Sequence, residues 1–161
     1  KGRMIDIISD DEGPFSPERA GRVPCKALID LCYSGKYDKD TMNKKLRGNG
    51  GLKDYLNTVD VRDVLKMIDN GDEKAKLILE AMAYQVAKGI GELATVVEGK
   101  VDAIVITGGI AYSDLIMTWI KKRVEFIAPV EIMPGENEME SLSLGILRVL
   151  RGEEVAKEYV E

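Results

Sequence analysis

Between Ala75 and Val97 the apolar residues Ala75, Ile78, Leu79, Met82, Val86, Ile90, Leu93 and Val97 return every three or four positions. That spacing predicts a helix of about seven turns with one buried stripe. Asp72 stands where an N-cap is expected. Gly89 and Gly91 interrupt the pattern at a cost of roughly 1 kcal/mol each relative to Ala, which predicts close packing against a neighbour. After Gly99 the periodicity changes. VDAIVIT, residues 101–107, is apolar almost throughout and predicts a strand in a parallel or mixed sheet covered on both faces.

The rest of the pattern completes an alternating order. RMIDIIS, residues 3–9, reads as a short strand, and DDEGPFSPERAGRVP as a long loop rich in Pro and Gly. A helix follows from Val23, with Leu28, Leu31 and Cys32 on one side, and breaks at Ser34-Gly35. A weaker helix over 39–46 leads into RGNGG, which reads as a flexible turn. VDVRDVLKMI is helical and stops at Asn70-Gly71, a pair that tolerates left-handed backbone.

Beyond the apolar strand, Ser113 to Arg123 is a helix with Leu115, Ile116, Trp119 and Ile120 facing inward. EFIAPVEIM reads as a strand bent at Pro129. Met139, Leu142, Ile146 and Val149 mark a further amphipathic helix closed by Gly152, and EEVAKEYV a short final one. Most apolar residues of the helices over 113–123 and 139–150 are expected in the core, with some left as material for an interface. Strand and helix in alternation define an α/β architecture.

Composition narrows the class. The 161 residues suit one domain, and 45% apolar with 32% charged residues is ordinary for a soluble globular chain. No apolar run approaches the roughly 18–20 residues of a membrane span, and Lys1-Gly2-Arg3 followed by Met4-Ile5-Asp6 reads as too short and too soon polar for a signal peptide. The first residue is Lys, as expected of a sequence processed or cut from something longer. A net charge of −5 with scattered basic residues argues against a nucleic-acid surface, and Lys44-Lys45-Arg47 reads as a solvated helix face. Cys25 and Cys32 lie seven apart, with no CxxC and no histidine in the chain. Buried thiols on one helix face, in a reducing cytoplasm, are the expectation.

Four stretches have the composition of a site. Thr107-Gly108-Gly109 ends the apolar strand just before a helix, where two residues without Cβ leave the main chain open to a ligand or simply make a tight turn. Nothing matches GxGxxG or GxxxxGK[ST]. In PGENEME, Glu136, Glu138 and Glu140 either complement a helix N-terminus or hold a hard cation such as Mg²⁺. GPFSPERAG presents Arg19, whose planar donor fork suits phosphate or carboxylate but is also common on surfaces. In TVDVRD, Asp60 can accept from ribose or amine groups and Arg62 can stack on a base; the same residues also describe an ordinary helix start.

Taken together and in this order, GPFSPERAG, TGGIAYS and PGENEME resemble the C-terminal half of the butyrate kinases, in the acetate-kinase group of the sugar kinase, actin and heat-shock chaperone superfamily. The likeness covers essentially all of the chain. It implies a ribonuclease-H-like (actin-like ATPase) domain with an incomplete mixed sheet flanked by helices. Residues 1–161 would then form the C-terminal nucleotide-binding domain of a two-domain kinase whose N-terminal domain is absent from this chain.

The implied activity is that of an ATP:butanoate phosphotransferase, reversible and dependent on Mg²⁺, with ATP or ADP as nucleotide and butyrate as carboxylate. Branched-chain acid kinase, acetate kinase and a non-catalytic nucleotide-binding module are the alternatives. Gly108, Gly109 and Ile110 fall where the family holds adenosine, and Asp60, Val61 and Arg62 where relatives contact base and ribose. Acetate kinases tend to carry an aromatic residue at the place of Val61. Arg19 falls on the arginine that handles the carboxylate and the transferring phosphoryl group, and Glu138 on the carboxylate associated with the metal. The resemblance also implies an HLGGG-type phosphate loop before residue 1, two further strands beside residues 3–9, a homo-oligomer, and no activity from this chain alone.

Overall fold

A computed structural model describes residues 3–158. Among the described residues the elements run α1 (Cys25–Cys32), α2 (Lys39–Leu46), α3 (Gly51–Leu56), α4 (Val61–Asp69), α5 (Glu73–Val96), β1 (Ile104–Gly108), α6 (Asp114–Val124), β2 (Val130–Pro134) and α7 (Glu138–Leu150). A single 3-10 turn over Gly109–Tyr112 joins β1 to α6.

The long helix forms as its apolar spacing predicts. Asp72 accepts a hydrogen bond from the Ala75 N–H at 2.9 Å and so satisfies one of the free donors at the start of α5. Its stripe buries Ala75, Leu79, Met82, Ala83 and Ala87 against α4 and α6. Leu52, Val64, Leu79, Ile116 and Val124 are the largest fully buried side chains, so the core is where α3, α4, α5 and α6 meet. Gly89 does face a close neighbour, since a Cβ there would meet Ile8 at 3.4 Å; Gly91 has nothing within 4 Å.

Helix α6 is capped by Ser113 and carries Asp114 in its first turn and Lys121, Lys122 and Arg123 in its last, each sign complementing the helix dipole. It buries Ile116, Met117, Ile120 and Val124, while Leu115 stays exposed. Strands β1 and β2 run parallel, with Ile104 opposite Val130 and Gly108 opposite Pro134. In β1 the side chains alternate: Ile104 is buried and Val105 is 59% exposed. The expectation of a sheet covered on both faces is therefore corrected, because the described helices cover one.

Other expectations give way too. Residues 3–9 form no strand: the segment has no ladder partner among the described residues, and Met4, Ile5 and Ile7 are exposed. The second strand begins only after Pro129, which has no N–H to contribute to a ladder, and residues 125–127 are a turn. Residues 153–158 are not helical, and the end of the expected final helix lies outside the described residues. Cys25 and Cys32 are exposed free thiols, because no residue of α1 is buried. Helix α7 likewise buries nothing; Met139, Leu142, Ile146 and Leu150 are all exposed, where the core was expected to take most of them.

Candidate functional site

The site is organised around the tip of β1. Gly108 has φ +90°, a conformation that disfavours any side chain, and it exchanges two backbone hydrogen bonds of 3.1 Å with Gly135. Thr107 Oγ1 adds a third, donating to the Gly135 carbonyl at 3.2 Å. The Pro134-Gly135 turn is thus tied to the glycine pair, and the acidic stretch beginning at Glu136 is brought beside it. A Cβ added to Gly108 or Gly109 would meet nothing within 4 Å, so the bare main chain there borders open space.

That space is a cleft of about 720 Å³. One wall comes from the chain entering α4, through Val59, Asp60, Val61, Arg62 and Leu65; the other comes from Gly109, Ile110, Tyr112, Ser113 and Glu136, with Pro17 beside them. Asp60 caps α4 by accepting from the Arg62 N–H at 2.9 Å. Its carboxylate also takes the Arg62 side chain, from Nε at 2.9 Å and from Nη2 at 2.6 Å. These bonds favour the charged form, lowering the Asp60 pKa to about 2 and raising that of Arg62.

Arg19 lies on a loop held almost entirely by main-chain bonds. The Ala20 N–H donates to the Leu46 carbonyl at 2.9 Å, and the Gly48 and Gly50 N–H groups both donate to the Glu18 carbonyl, at 2.8 and 3.1 Å. The first free donors of α3 are satisfied by the same loop: Leu52 N–H reaches the Ser16 carbonyl at 3.1 Å and Lys53 N–H the Pro17 carbonyl at 2.9 Å. RGNGG is therefore a rigid clasp rather than the flexible turn its composition predicts. Only glycine fits at its last position, since a Cβ on Gly51 would lie 1.8 Å from the Ser16 carbonyl oxygen.

Arg19 lines a neighbouring cleft of about 340 Å³, which shares Pro17 and Ile110 with the first. Its Nε donates to Ser16 Oγ at 3.3 Å, and its guanidinium pairs with Asp10.

The structure thus gathers Asp60, Arg62, Gly109 and Ile110 in one cleft and Arg19 in the adjoining one. Gly108 shapes the turn from one residue behind the wall. Glu138, the first residue of α7, lines neither cleft, whereas Glu136 does. Among the described residues no three His, Cys, Asp or Glu side chains gather into a metal cage. Mg²⁺ needs no such cage, since one or two carboxylates plus substrate phosphates suffice, and Glu136 and Glu138 are of the right type. Sequence reasoning missed the Tyr112 and Ser113 lining and the RGNGG clasp. For the clasp, the available signal was four glycine or asparagine residues between two helical patterns.

A family model described as the acetokinase family matches residues 13–138. The chain belongs to that family. Among acetokinase relatives, a Bacteroides thetaiotaomicron protein named "probable butyrate kinase" is 56% identical over 154 residues, which are 94% of this chain and 44% of the relative. The chain therefore spans less than half the length of that curated relative. The fold is that of solved acetokinase structures. Porphyromonas gingivalis acetate kinase matches with TM-score 0.73 at 21% identity, over 84% of this chain and 41% of that one. Entamoeba histolytica acetate kinase matches with TM-score 0.72 at 20% identity, over 85% of this chain and 43% of that one. No helix of the described residues is long and apolar enough to cross a membrane.

Proposed function

We propose that this chain is the second, nucleotide-binding domain of a two-domain kinase that transfers the γ-phosphoryl group of ATP to a short-chain carboxylate, with butyrate the preferred acid. The observation that carries the reading is the cleft in which Asp60 and Arg62 face the open Gly109-Ile110 main chain. The relative named as a butyrate kinase, more than twice as long as the matched segment, supports both the acid and the second domain.

In this reading adenosine lies against Gly109 and Ile110, where a larger side chain would collide with it. Asp60 accepts from the ribose or an amine, and Arg62, already paired with Asp60, presents its planar face to the base. A carboxylate oxygen of the acid attacks the γ-phosphorus as the bond to the bridging oxygen of ADP breaks, giving acyl phosphate and ADP. Catalysis of such a loose transition state is positioning plus charge neutralisation. Arg19 supplies fixed donors to the acid and the transferring oxygens. Bound Mg²⁺ supplies charge neutralisation on the phosphates, with Glu138 as its tether and Glu136 beside it. The chain works in the cytoplasm as part of a homo-oligomer, and the 161 residues alone are inactive.

Arg19→Ala in the full-length enzyme is the test. Acyl phosphate trapped as hydroxamate should fall by about 10³-fold or more while ATP affinity survives; an unchanged rate would discard the catalytic reading. Turnover of butyrate against isobutyrate and acetate by the same enzyme decides the acid. Acyl phosphate formed by the isolated chain would refute its inactivity.

A further inference from the structure

Three charged side chains beside the clefts form a chain of contacts that the reading above leaves unused. Asp10 lies in the turn that precedes the Arg19 loop. One of its carboxylate oxygens takes the Arg19 guanidinium, through Nη1. The other accepts from Arg47 Nη2 at 3.1 Å. Arg47 is itself fixed to the same loop, because residues 19 and 47 pair as an isolated antiparallel bridge. Two arginines brought together by their backbones would repel one another, and Asp10 sits between their side chains.

We propose that Asp10 is a positioning residue that aims the Arg19 guanidinium, with Arg47 holding Asp10 in place. This rests on the catalytic reading of Arg19. An arginine side chain turns about four flexible bonds, so a rigid Cα does not by itself direct the guanidinium. Here Ser16 Oγ accepts from the Arg19 N–H at 3.1 Å and from its Nε at 3.3 Å, which holds the near end. Asp10 holds Nη1 at the far end. Nη2 donates no hydrogen bond among the described residues, so one terminal donor group remains for an oxygen of the acid or of the phosphoryl group.

The alternative role for Asp10 is that of an internal anion occupying Arg19, which substrate must displace. The two roles predict opposite signs. A positioning residue lowers kcat when removed, since misplacing a catalytic donor by about 1 Å can cost on the order of 10²-fold. An occupying anion, when removed, raises the apparent affinity for the acid.

The experiment uses the full-length enzyme with Asp10→Asn, Asp10→Glu, Arg47→Met, the double variant Asp10→Asn/Arg47→Met, and Arg19→Ala as reference. The expected result is a kcat loss of about 10–100-fold for Asp10→Asn, with the KM for butyrate and the affinity for ATP little changed. Partial recovery is expected in Asp10→Glu and a smaller loss in Arg47→Met. The double variant should be no worse than Asp10→Asn, because Arg47 acts through Asp10. Melting temperatures and ATP affinity distinguish this from general loosening, which would move both. Wild-type kcat in Asp10→Asn, or a lowered KM for butyrate, would overturn the proposal. A wild-type rate in Arg19→Ala would instead remove the catalytic reading itself.

Discussion

Gly108 and Gly135 exchange two main-chain hydrogen bonds of 3.1 Å, each the other's donor and acceptor. This reciprocal pair is an isolated antiparallel bridge at the end of the parallel β1–β2 ladder, and it joins two glycine-bearing turns that the sequence separates by more than twenty residues. Both residues have positive φ, +90° and +100°. The acidic run after Gly135 and the open backbone after Gly108 are therefore parts of one device, and a substitution at either turn should disturb the same wall of the cleft.

Gly135→Ala is expected to destabilise the protein by about 1–3 kcal/mol, because an L side chain is strained at this φ. The new Cβ would also stand 2.9 Å from the Tyr112 hydroxyl, pushing that ring from the cleft wall. Denaturant unfolding and nucleotide titration on the full-length enzyme should show stability and ATP affinity falling together.

At Gly109 the two effects should separate. Its Cβ position is open and its φ is not positive, so Gly109→Leu should leave unfolding free energy within about 0.5 kcal/mol of wild type. ATP affinity should nonetheless fall by more than about tenfold, as expected when a side chain fills space that a ligand needs. Equal losses in stability and affinity would count against adenosine at this position.

Gly51→Ala tests the clasp. A Cβ there would lie 1.8 Å from the Ser16 carbonyl oxygen and 2.7 Å from that of Arg19, at φ +60°. Neither backbone atom can yield cheaply, so a loss of about 2–4 kcal/mol is expected. In enzyme that remains folded, kcat should drop while ATP affinity is largely kept, because the displaced loop carries Arg19 rather than the wall around Asp60.

Asp60 gives a pH prediction. Its pKa is lowered from 3.8 to about 2 in the folded chain, chiefly by the Arg62 side chain, so its contribution to stability is complete above about pH 4 and is lost as pH falls toward 2. Acid unfolding of Asp60→Asn should be less steep over that window than wild type. Between pH 5 and 9 Asp60 stays ionised, so this substitution should lower ATP affinity by the same factor at each pH.

Much of the architecture follows from local rules. Helix α5 satisfies periodicity, cap and length at once, and nothing in the tertiary structure opposes them. The β1 tip was equally legible, because two adjacent glycines after an apolar run have few uses. Residues 3–9 failed for the opposite reason: a strand is defined by its neighbour, and alternation within one segment carries no information about whether that neighbour is there. RGNGG misled because glycine serves flexibility and close approach equally well, and only the opposing Ser16 and Glu18 carbonyls distinguish the two. Glu136 and Glu138 are two apart in the chain, and spacing alone does not say that the cleft wall includes Glu136 and stops short of α7. Helix α7 shows a buried pattern in its sequence and an exposed one in its setting, since periodicity reports that a face is apolar and not what covers it.

The bonds between residues 16–20 and 46–53 have one more consequence. They close a ring in the chain whose intervening segment carries α1, a helix with no buried side chain. Length or composition around Cys25–Gly35 can accordingly drift, or be replaced by a short synthetic linker, while the arginine keeps its address.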